Sequence, residues 1–332
     1  MVIGKWHQGH GEGFHPLDRG FDEFYGFLGG ARSFFEIKNP NEEARLWKNK
    51  TPIPEPGGYL TDKFGEEATT FIEKHKNKPF FLYLAFNAVH NPLQAKKEDL
   101  NKFPNLKGNR KTLAAMTLSM DESIGKVLDK LKALGLDENT IVIFTNDNGG
   151  PAWEGMNNAP FSGSKATCLE GGVRVPFIMK WSKKIPKGKT FKAPISTLDI
   201  LPTFLTLAGG TIPDNNILDG KNLMPYIQNK KKGSPNETLY WEFDGHVRAI
   251  RHKNWKLISL PDRPAELYNL DKDVTEINNV AYNNKEITEK LMKKLFEWQL
   301  KNNRPRWQLK VLPYDKLPIE MYDKYRRKKD IN

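Results

Sequence analysis

The sequence predicts an α/β fold, with a mainly parallel β-sheet sandwiched by helices and a small antiparallel sheet with a packing helix at the C-terminal end. Buried apolar runs alternate with amphipathic helical segments over the first two thirds of the chain, as in repeated βαβ units. After about residue 228, short apolar segments separated by turn residues predict an antiparallel meander. We therefore expect an α/β domain at 1–228 and a β-subdomain at 229–332, with 229–236 as the linker.

Helical periodicity is clearest in two segments of the first domain. A helix that opens at Thr61 places apolar residues on one face: Phe64, Ala68, Phe71 and Ile72. A second helix, at 109–134, has apolar residues in a 3, 4, 3, 4 rhythm: Leu113, Met116, Met120, Ile124, Val127, Leu131 and Leu134. Gly135 follows it as a C-terminal cap. A shorter helix is expected within 196–210, ended by glycine.

Three apolar runs predict the strands of the sheet. Residues 79–86 and 140–145 read as strands buried on both faces, and 173–181 reads as a strand placed at an edge or bulge by Pro176. The segment 39–58 is rich in proline, glycine and charge, and it predicts a long surface loop.

The C-terminal part combines short strands with one amphipathic helix at 285–303 that could pack on the small sheet. The expected strands have the sequences ETLYWEF, VRAIRH, WKLISL and ELYNL. The tail at 322–330 reads as a solvated end rather than a binding arm.

Composition limits the kinds of partner. The 332 residues carry a formal net charge of +12, which favours nucleic acid, membrane headgroups or a polyanionic substrate, or serves solubility alone. No compact basic-aromatic motif of nucleic-acid binders occurs, and no apolar run reaches the roughly 18 residues of a membrane span. A single cysteine, Cys168, precludes an intramolecular disulfide. Residues 1–20 contain no signal-peptide pattern.

Polar residues follow the strand at 140–145. Asp147 and Asn148 offer hard oxygen ligands suited to Ca²⁺ or Mg²⁺, and Gly149 and Gly150 would let the backbone turn tightly beside an ion. A simple Asx-type turn explains the same residues without a metal.

Four more polar side chains are candidate site residues. His90 follows the strand at 79–86, so it is expected at the same sheet edge, although a histidine there is often structural. In an extended segment, Lys5 and His7 would share one face and suit an anion with several oxygens, unless they lie on a plain surface strand. Lys165 lies between glycines that permit a close approach to an anionic ligand.

Glu170, Gly171 and Gly172 read as a turn into the next strand. Two lysines, two histidines and a carboxylate–amide pair at one sheet end would suit hydrolysis of a sulfate or phosphate ester.

Eight segments carry a family resemblance, and they occur in one order over nearly the whole chain. They are GKWHQGH (4–10), PLDRGFDEFYGFLG (16–29), PFFLYLAFNAVHNPLQ (79–94), TIVIFTNDNGG (140–150), GSKATCLEGGVRVPF (163–177), LDILPTFLTLAG (198–209), LDGKNLMPYI (218–227) and ELYNLDKD (266–273). Together they resemble the type I sulfatases of the alkaline phosphatase-like superfamily.

The resemblance implies specific roles. Asp147 and Asn148 match the two later ligands of the family's calcium ion, and Lys165 matches the lysine that contacts the sulfate and the leaving group. Lys5 and His7 match the pair that holds the sulfate and assists the formylglycine nucleophile. His90 matches the histidine that protonates the leaving oxygen.

One family element has no counterpart in this sequence. Formylglycine arises from the Cys or Ser of a C-x-P-S-R type motif, which should precede residues 4–7 together with an earlier pair of calcium-binding aspartates. Cys168 cannot replace it, because Leu169, Glu170 and Gly171 follow. We therefore expect the chain to be the carboxyl-terminal part of a longer sulfatase that has roughly 60 to 100 further residues, at about 30 per βα unit. By the resemblance, the full-length form would be periplasmic or secreted.

Two other readings remain open at this stage. A pseudoenzyme that binds sulfated glycans through Lys5, Lys165 and surface lysines would need no nucleophile. A related phosphodiesterase or phosphonate hydrolase would share the fold but often uses transition metals, whereas Asp147 and Asn148 favour a hard ion.

Overall fold

A computed structural model describes residues 1–212, 218–243, 247–261, 263–303 and 317–326. They form two compact units, Met1–Ile141 and Val142–Asn332. The predicted domain boundary at 228/229 falls inside the second unit and stays a prediction. Among the described residues, every helix is too short or too polar to cross a lipid bilayer.

The first unit contains a mixed β-sheet and three α-helices. Its elements are β1 (Val2–Lys5), β2 (Phe24–Phe27), β3 (Trp47–Lys48), β4 (Thr51–Pro52), α1 (Leu60–His75), β5 (Tyr83–Ala85), α2 (Lys97–Asn101) and α3 (Gly108–Ala133). The strand order is β4-β3-β2-β1-β5, with β1 parallel to both β2 and β5.

Glycines allow the central strands to approach closely. A Cβ atom on Gly4 would lie 2.0 Å from the carbonyl oxygen of Ala85, and one on Gly26 would lie 1.9 Å from that of Gly4. Any larger residue would therefore push the strands apart. Val2 and Phe24 are fully buried in one apolar cluster, so β1 and β2 are packed into the core of this unit.

The segment 39–58, expected to be a surface loop, contains a β-hairpin instead. Strands β3 and β4 pair antiparallel, and β3 continues the sheet against Tyr25 and Gly26 of β2. Asn49 adopts a left-handed φ of 57° in the turn, and its side-chain oxygen accepts a hydrogen bond from the backbone N–H of Phe24. The turn chemistry of asparagine thus overrides the loop-like composition.

The prediction of a doubly buried strand at 79–86 is wrong. Only β5 pairs, and within the described residues it has β1 alone as a neighbour. The side chains of Phe81 and Tyr83 are 51% and 47% exposed. A continuous apolar run shows that a segment can be buried on both faces, but not whether both faces are covered.

Helices α1 and α3 pack against each other, as their periodicity predicts. Phe64, Ala68 and Ile72 are buried on α1. On α3 the buried face differs slightly from the expected one, because Ser119 and Ser123 are completely buried. Ser119 donates a hydrogen bond to Asp99, and Ser123 lies where a Cβ on Gly65 of α1 would be only 2.9 Å from its own Cβ.

The cap of α3 at Gly135 is confirmed. Its φ is +67°, and its N–H donates to the carbonyl of Lys132 while the N–H of Leu136 donates to that of Leu131. This is the hydrogen-bond pattern of a glycine-terminated helix.

The second unit contains two antiparallel sheets and five α-helices in its described residues. Its elements are β6 (Val142–Thr145), α4 (Glu170–Val173), β7 (Phe177–Lys180), α5 (Ile200–Leu207), α6 (Met224–Ile227), β8 (Thr238–Phe243), β9 (Val247–His252), β10 (Trp255–Ser259), β11 (Glu266–Asn269), α7 (Lys285–Gln299) and α8 (Leu317–Tyr325).

Strands β6 and β7 pair antiparallel with each other, which corrects the expectation of parallel pairing. Both strands are about half-buried or exposed rather than buried on both faces. Alternating strand and helix patterns do not fix the direction of pairing, because the intervening chain decides it. β7 is shorter than the strand expected at 173–181, because it begins directly after Pro176 and Val173 belongs to α4.

The C-terminal meander is confirmed. Strands β8 to β11 form an antiparallel sheet in the order β11-β10-β9-β8, and α7 packs on one face. That core joins buried residues of three strands and the helix: Ile250, Leu257, Leu267, Leu291 and Leu295. The other face packs against Leu169 and Tyr322.

The described part of the C-terminal tail is not a solvated end. Tyr322 on α8 is completely buried, and its hydroxyl donates to Glu266. Arg326 forms an ion pair with Glu266 at 3.0 Å and donates to the hydroxyl of Tyr268. The apolar and aromatic residues between the charges therefore decide the placement of this segment; residues 327–330 lie outside the described residues.

Candidate active site

The first unit places basic and imidazole side chains at one edge of its sheet. Lys5 is the last residue of β1, and Gly4 pairs in parallel register with Ala85 of β5. The carboxyl ends of these two strands therefore lie side by side. His90 follows β5 by five residues, so the topology brings Lys5 and the 87–90 turn to the same edge, as predicted.

His7 reaches this edge by a different geometry from the expected one. Its φ is 51°, in the left-handed region, so the segment is not extended there and the alternation argument for a shared face with Lys5 is wrong. The N–H groups of Trp6 and His7 instead bond to the carbonyls of Phe27 and Leu28 beyond β2. Left-handed conformations of non-glycine residues are costly and concentrate at functional sites.

Gly30 makes room for the His7 ring. A Cβ on Gly30 would lie 2.5 Å from Nε2 of His7, so any larger residue would displace the ring from this position.

The orientation of the His90 ring is defined by its own turn. Nδ1 lies 2.9 Å from the carbonyl oxygen of Asn91, and the backbone N–H donates to the carbonyl of Asn87. A carbonyl oxygen only accepts, so Nδ1 carries a proton and Nε2 is the atom that gains or loses one.

Asn87 is a candidate residue that the sequence reasoning missed. It is 4% exposed, and neither atom of its side-chain amide has a hydrogen-bond partner among the described residues. A buried amide without partners costs about 1 to 3 kcal/mol, so this one is expected to meet a ligand, water or another polar group. Its position three residues before His90 was the available signal.

In the second unit, Asp147 and Asn148 follow β6 as predicted. Oδ1 of Asp147 accepts the N–H of Asn148 at 3.0 Å, and Nδ2 of Asn148 donates to the carbonyl of Gly149 at 2.9 Å. These bonds are those of a polar turn. They orient the amide so that Oδ1 of Asn148 faces away from Gly149, and they engage one of the two Asp147 carboxylate oxygens.

Asp147 and Asn148 supply the type of oxygen ligand that a hard cation prefers, but they supply too few of them. Carboxylate and amide oxygens suit Ca²⁺, which takes six to eight oxygen ligands. Among the residues that the structure describes, no group of three or more His, Cys, Asp or Glu side chains is placed to hold a metal. Calcium binding by Asp147 and Asn148 therefore stays a prediction that requires further ligands.

Gly149 and Gly150 allow their backbone to pack closely against neighbouring segments. The N–H of Gly149 donates to Gly172, and a Cβ on Gly149 would lie 1.8 Å from the carbonyl oxygen of Gly171. The N–H of Gly150 donates to the side chain of Asn158.

The structure brings Lys165 to the same segment. Its backbone N–H lies 3.4 Å from the carbonyl oxygen of Gly150, and the hydroxyl of Ser164 contacts that same carbonyl and the N–H of Ala152. Ala166, the next residue, has a left-handed φ of 68°. The backbone of Lys165 therefore lies beside the segment that follows Asp147 and Asn148. Convergence with Lys5, His7 and His90 of the first unit stays a prediction.

The prediction of a turn at Glu170 to Gly172 is corrected by the structure. Residues 170–173 form a helical turn, α4, and Glu170 is buried. It binds Lys256 on β10, which also lies 2.9 Å from Glu276. No sequence signal marked these three residues, because a lysine within an alternating strand is normally placed on the solvent face.

The two carboxyl groups of this buried cluster have pKa values shifted in opposite directions. Burial raises the pKa of Glu276 to about 7, whereas the neighbouring Lys256 and arginines hold the pKa of Glu170 below its usual range despite burial. The two carboxylates raise the pKa of Lys256, so it is a cation. The cluster therefore joins one lysine cation to two carboxyl groups whose pKa values are shifted in opposite directions.

Cys168 is unsuited to nucleophilic attack. It is 2% exposed, and burial raises its pKa to about 12. This accords with its exclusion as the nucleophile, since a thiol is reactive only as the thiolate.

Comparison with known proteins identifies the class to which this fold and these strand-end residues belong. Residues 1–210 match the family model described as Sulfatase, and residues 164–302 match the model described as N-sulphoglucosamine sulphohydrolase, C-terminal. The chain belongs to the sulfatase family.

Particular relatives support this assignment. The chain is 35% identical to human N-acetylgalactosamine-6-sulfatase over 241 residues, which are 68% of this chain and 45% of that protein. It is 32% identical to human steryl-sulfatase over 216 residues, 62% of this chain and 36% of that protein. The chain thus spans less than half the length of these curated relatives.

This chain is similar to a solved structure, Ps i-CgsB in complex with k-i-k-neocarrahexaose, with a TM-score of 0.87 and 36% sequence identity. The match covers 97% of this chain and 75% of that one. The α/β fold with a small C-terminal antiparallel sheet is therefore confirmed.

Proposed function

We propose that the protein acts as a sulfuric ester hydrolase on a carbohydrate sulfate. The observation that carries this proposal is the parallel pairing of β1 with β5, which sets Lys5 and His90 at one sheet edge in a chain of the sulfatase family. A cation beside a proton donor suits a reaction that moves charge from a sulfate group to a leaving oxygen.

Each site residue has a distinct role in this proposal. Lys5 and Lys165 bind sulfate oxygens and stabilise their charge as point cations. His90 holds a proton at Nε2 and delivers it to the leaving oxygen. His7 accepts a proton as sulfate is released. Asp147 and Asn148 would hold the metal, and the close packing of Gly149 against Gly171 restrains the turn that carries them.

The cofactors of this proposal are Ca²⁺, with Mg²⁺ as a second possibility, and a formylglycine outside residues 1–332. When bound, they supply positive charge against the sulfate oxygens and a nucleophile for sulfur. From this chain, Asp147 and Asn148 would hold the metal and Lys5 and His7 would lie beside the formylglycine.

A sulfated oligosaccharide is the substrate class that we favour. The net charge of +12 attracts polyanions, and the similar solved structure at 36% identity was determined with a carrageenan-type hexasaccharide. A small aryl sulfate is the alternative. Nucleic acid is not an expected partner, and export from the cytoplasm is expected from the family resemblance.

Release of inorganic sulfate is the decisive measurement. The active full-length enzyme is incubated with carrageenan oligosaccharides and with an aryl sulfate, and sulfate is quantified by ion chromatography before and after chelation of calcium with EGTA. Calcium-dependent release supports the proposal. Salt-sensitive binding of the oligosaccharide without release would establish the pseudoenzyme instead, and activity on phosphodiesters restored only by transition metals would establish the related hydrolase.

Substitution of His90 tests the proton-donor role. We expect His90→Ala to lower kcat about 10²- to 10⁴-fold for an alkyl or sugar sulfate, whose leaving oxygen needs a proton, and much less for an activated aryl sulfate. The matched control is His252→Ala, which removes an imidazole that contacts Thr238 on the C-terminal sheet. Equal losses for both substrates would contradict the role of His90 as an acid.

A further inference from the structure

The second unit contains a buried charge cluster formed by Lys256, Glu170 and Glu276. Lys256 on β10 is 0% exposed, and its Nζ lies 2.9 Å from Oε1 of Glu170 and 2.9 Å from Oε1 of Glu276. The two carboxylates belong to different segments, so one ammonium group joins α4, the 273–280 segment and the C-terminal sheet.

Further bonds close the cluster into a ring. Oε2 of Glu276 accepts the backbone N–H of Glu170 at 2.6 Å, and Arg174 lies 3.4 Å from Oε2 of Glu170. Glu276 adopts a left-handed φ of 54°, a conformation that few non-glycine residues accept without compensation. The surrounding contacts therefore hold the Glu276 carboxylate in one position.

Backbone hydrogen bonds link this ring to the turn at 147–149, which carries the two predicted metal ligands. Gly171, next to Glu170, donates its N–H to the carbonyl of Ser162, and Gly172 accepts the N–H of Gly149. Gly149 immediately follows Asn148. A displacement of Glu170 would thus be transmitted through two residues to Asp147 and Asn148.

The same ring is bonded to the loop at 162–170, which contains Lys165. The hydroxyl of Ser162 donates to the carbonyl of Thr275, the residue before Glu276. Lys165 lies within the loop that runs from Ser162 to Glu170, so both ends of this loop are attached to the 273–280 segment.

Stability alone does not account for the buried charges. Replacing a buried ion cluster by well-packed apolar residues is often neutral or stabilising, so such clusters are poor sources of folding energy. Their advantage is geometric, because charge-assisted hydrogen bonds fix distance and direction in a way that apolar packing does not.

We propose that Lys256 is a positioning residue, which sets Lys165 and the Asp147–Asn148 turn in their reactive geometry by binding Glu170 and Glu276. It acts through these neighbours and touches no substrate. The catalytic part of this inference rests on the proposed function; the structural part does not.

Hydrogen exchange measured by mass spectrometry tests the structural part. In Lys256→Met, exchange at the backbone amides of peptides 146–152 and 162–174 should be at least tenfold faster than in the wild type. The milder variant Glu276→Gln should show the same increase in exchange to a smaller extent. It provides the test if Lys256→Met does not fold. The matched control is Asp199→Asn, whose buried carboxylate accepts from Ser196, Lys221 and Asn236 and has no described bond to either peptide.

Steady-state kinetics of the full-length enzyme test the catalytic part. With a folded fraction confirmed by near-ultraviolet circular dichroism, Lys256→Met and Glu276→Gln should lower kcat at least tenfold with a smaller change in KM, whereas Asp199→Asn should change neither more than twofold. Unchanged exchange in both cluster variants would overturn the proposal. Faster exchange with an unchanged kcat would overturn the positioning role. If the wild type releases no sulfate, the proposed function fails, and the exchange data alone decide whether the cluster holds the loop.

Discussion

Gly149→Ala is the substitution whose effect the structure defines most sharply. The added Cβ would lie 1.8 Å from the carbonyl oxygen of Gly171 and 2.8 Å from its carbonyl carbon, whereas ordinary contacts are 3.4 to 4 Å. Both obstacles are backbone atoms, which cannot rotate away. One of the two segments must therefore move by about 1.5 Å, the difference between 1.8 Å and an ordinary contact.

The expected cost follows from two effects. Overpacking a close contact costs about 1 to 3 kcal/mol. Displacement also weakens the hydrogen bond from the N–H of Gly149 to Gly172, which contributes about 1 kcal/mol. We therefore expect Gly149→Ala to lower the free energy of unfolding by roughly 2 to 4 kcal/mol.

Urea denaturation gives the measurement, and Gly125→Ala is the matched control. Gly125 lies inside α3 and a Cβ there meets nothing within 4 Å, so alanine should stabilise the helix by about 0.5 to 1 kcal/mol. The same variant pair tests the metal prediction, because a saturating ligand at 100 times its Kd stabilises the folded state by about 2.7 kcal/mol. Calcium should stabilise the wild type and Gly125→Ala but not Gly149→Ala. The steric reasoning fails if Gly149→Ala unfolds within about 0.5 kcal/mol of the wild type.

Three further predictions concern buried groups of the second unit. Cys168, with its pKa raised to about 12, should not react with a thiol reagent at pH 8 in the folded protein and should react fully in urea; rapid labelling of the native chain would contradict its burial. Tyr322→Ala should lower the free energy of unfolding by about 3 to 5 kcal/mol, while Tyr282→Ala, at an 82% exposed position, should change it by less than about 0.5 kcal/mol; similar losses in urea titrations would show that α8 is not docked. The raised pKa of Glu276 means that its contribution to stability is fully present below its ordinary pKa of 4.5 and is lost as pH rises through about 7. Between pH 5 and 8 the free energy of unfolding should therefore fall more steeply in the wild type than in Glu276→Gln, and parallel pH profiles would refute this.

Much of the local structure could be predicted because its causes are local. Helices α1, α3 and α7 have apolar residues at a period of 3.6, and Gly135 supplies the left-handed conformation at the end of α3. The C-terminal meander follows from short apolar segments with turns between them. Asp147, Asn148 and His90 are predicted at strand ends because each lies within a few residues of the end of an apolar run.

The remaining features depend on contacts between segments distant in the sequence. The direction of pairing between β6 and β7 and the one-sided pairing of β5 are properties of neighbours, not of the strands themselves. His7 is turned by bonds to the strand beside it.

The sequence by itself thus determined the amphipathic helices, the C-terminal meander and the family, and it predicted the site residues, because periodicity and motif spacing are written in the chain. Tertiary structure alone decided what holds those residues in place. Lys256, Glu170 and Glu276 lie up to 106 positions apart, and no local pattern predicts their meeting. A buried charge is stable only with its partners, so its role becomes visible only when the folded chain brings them together.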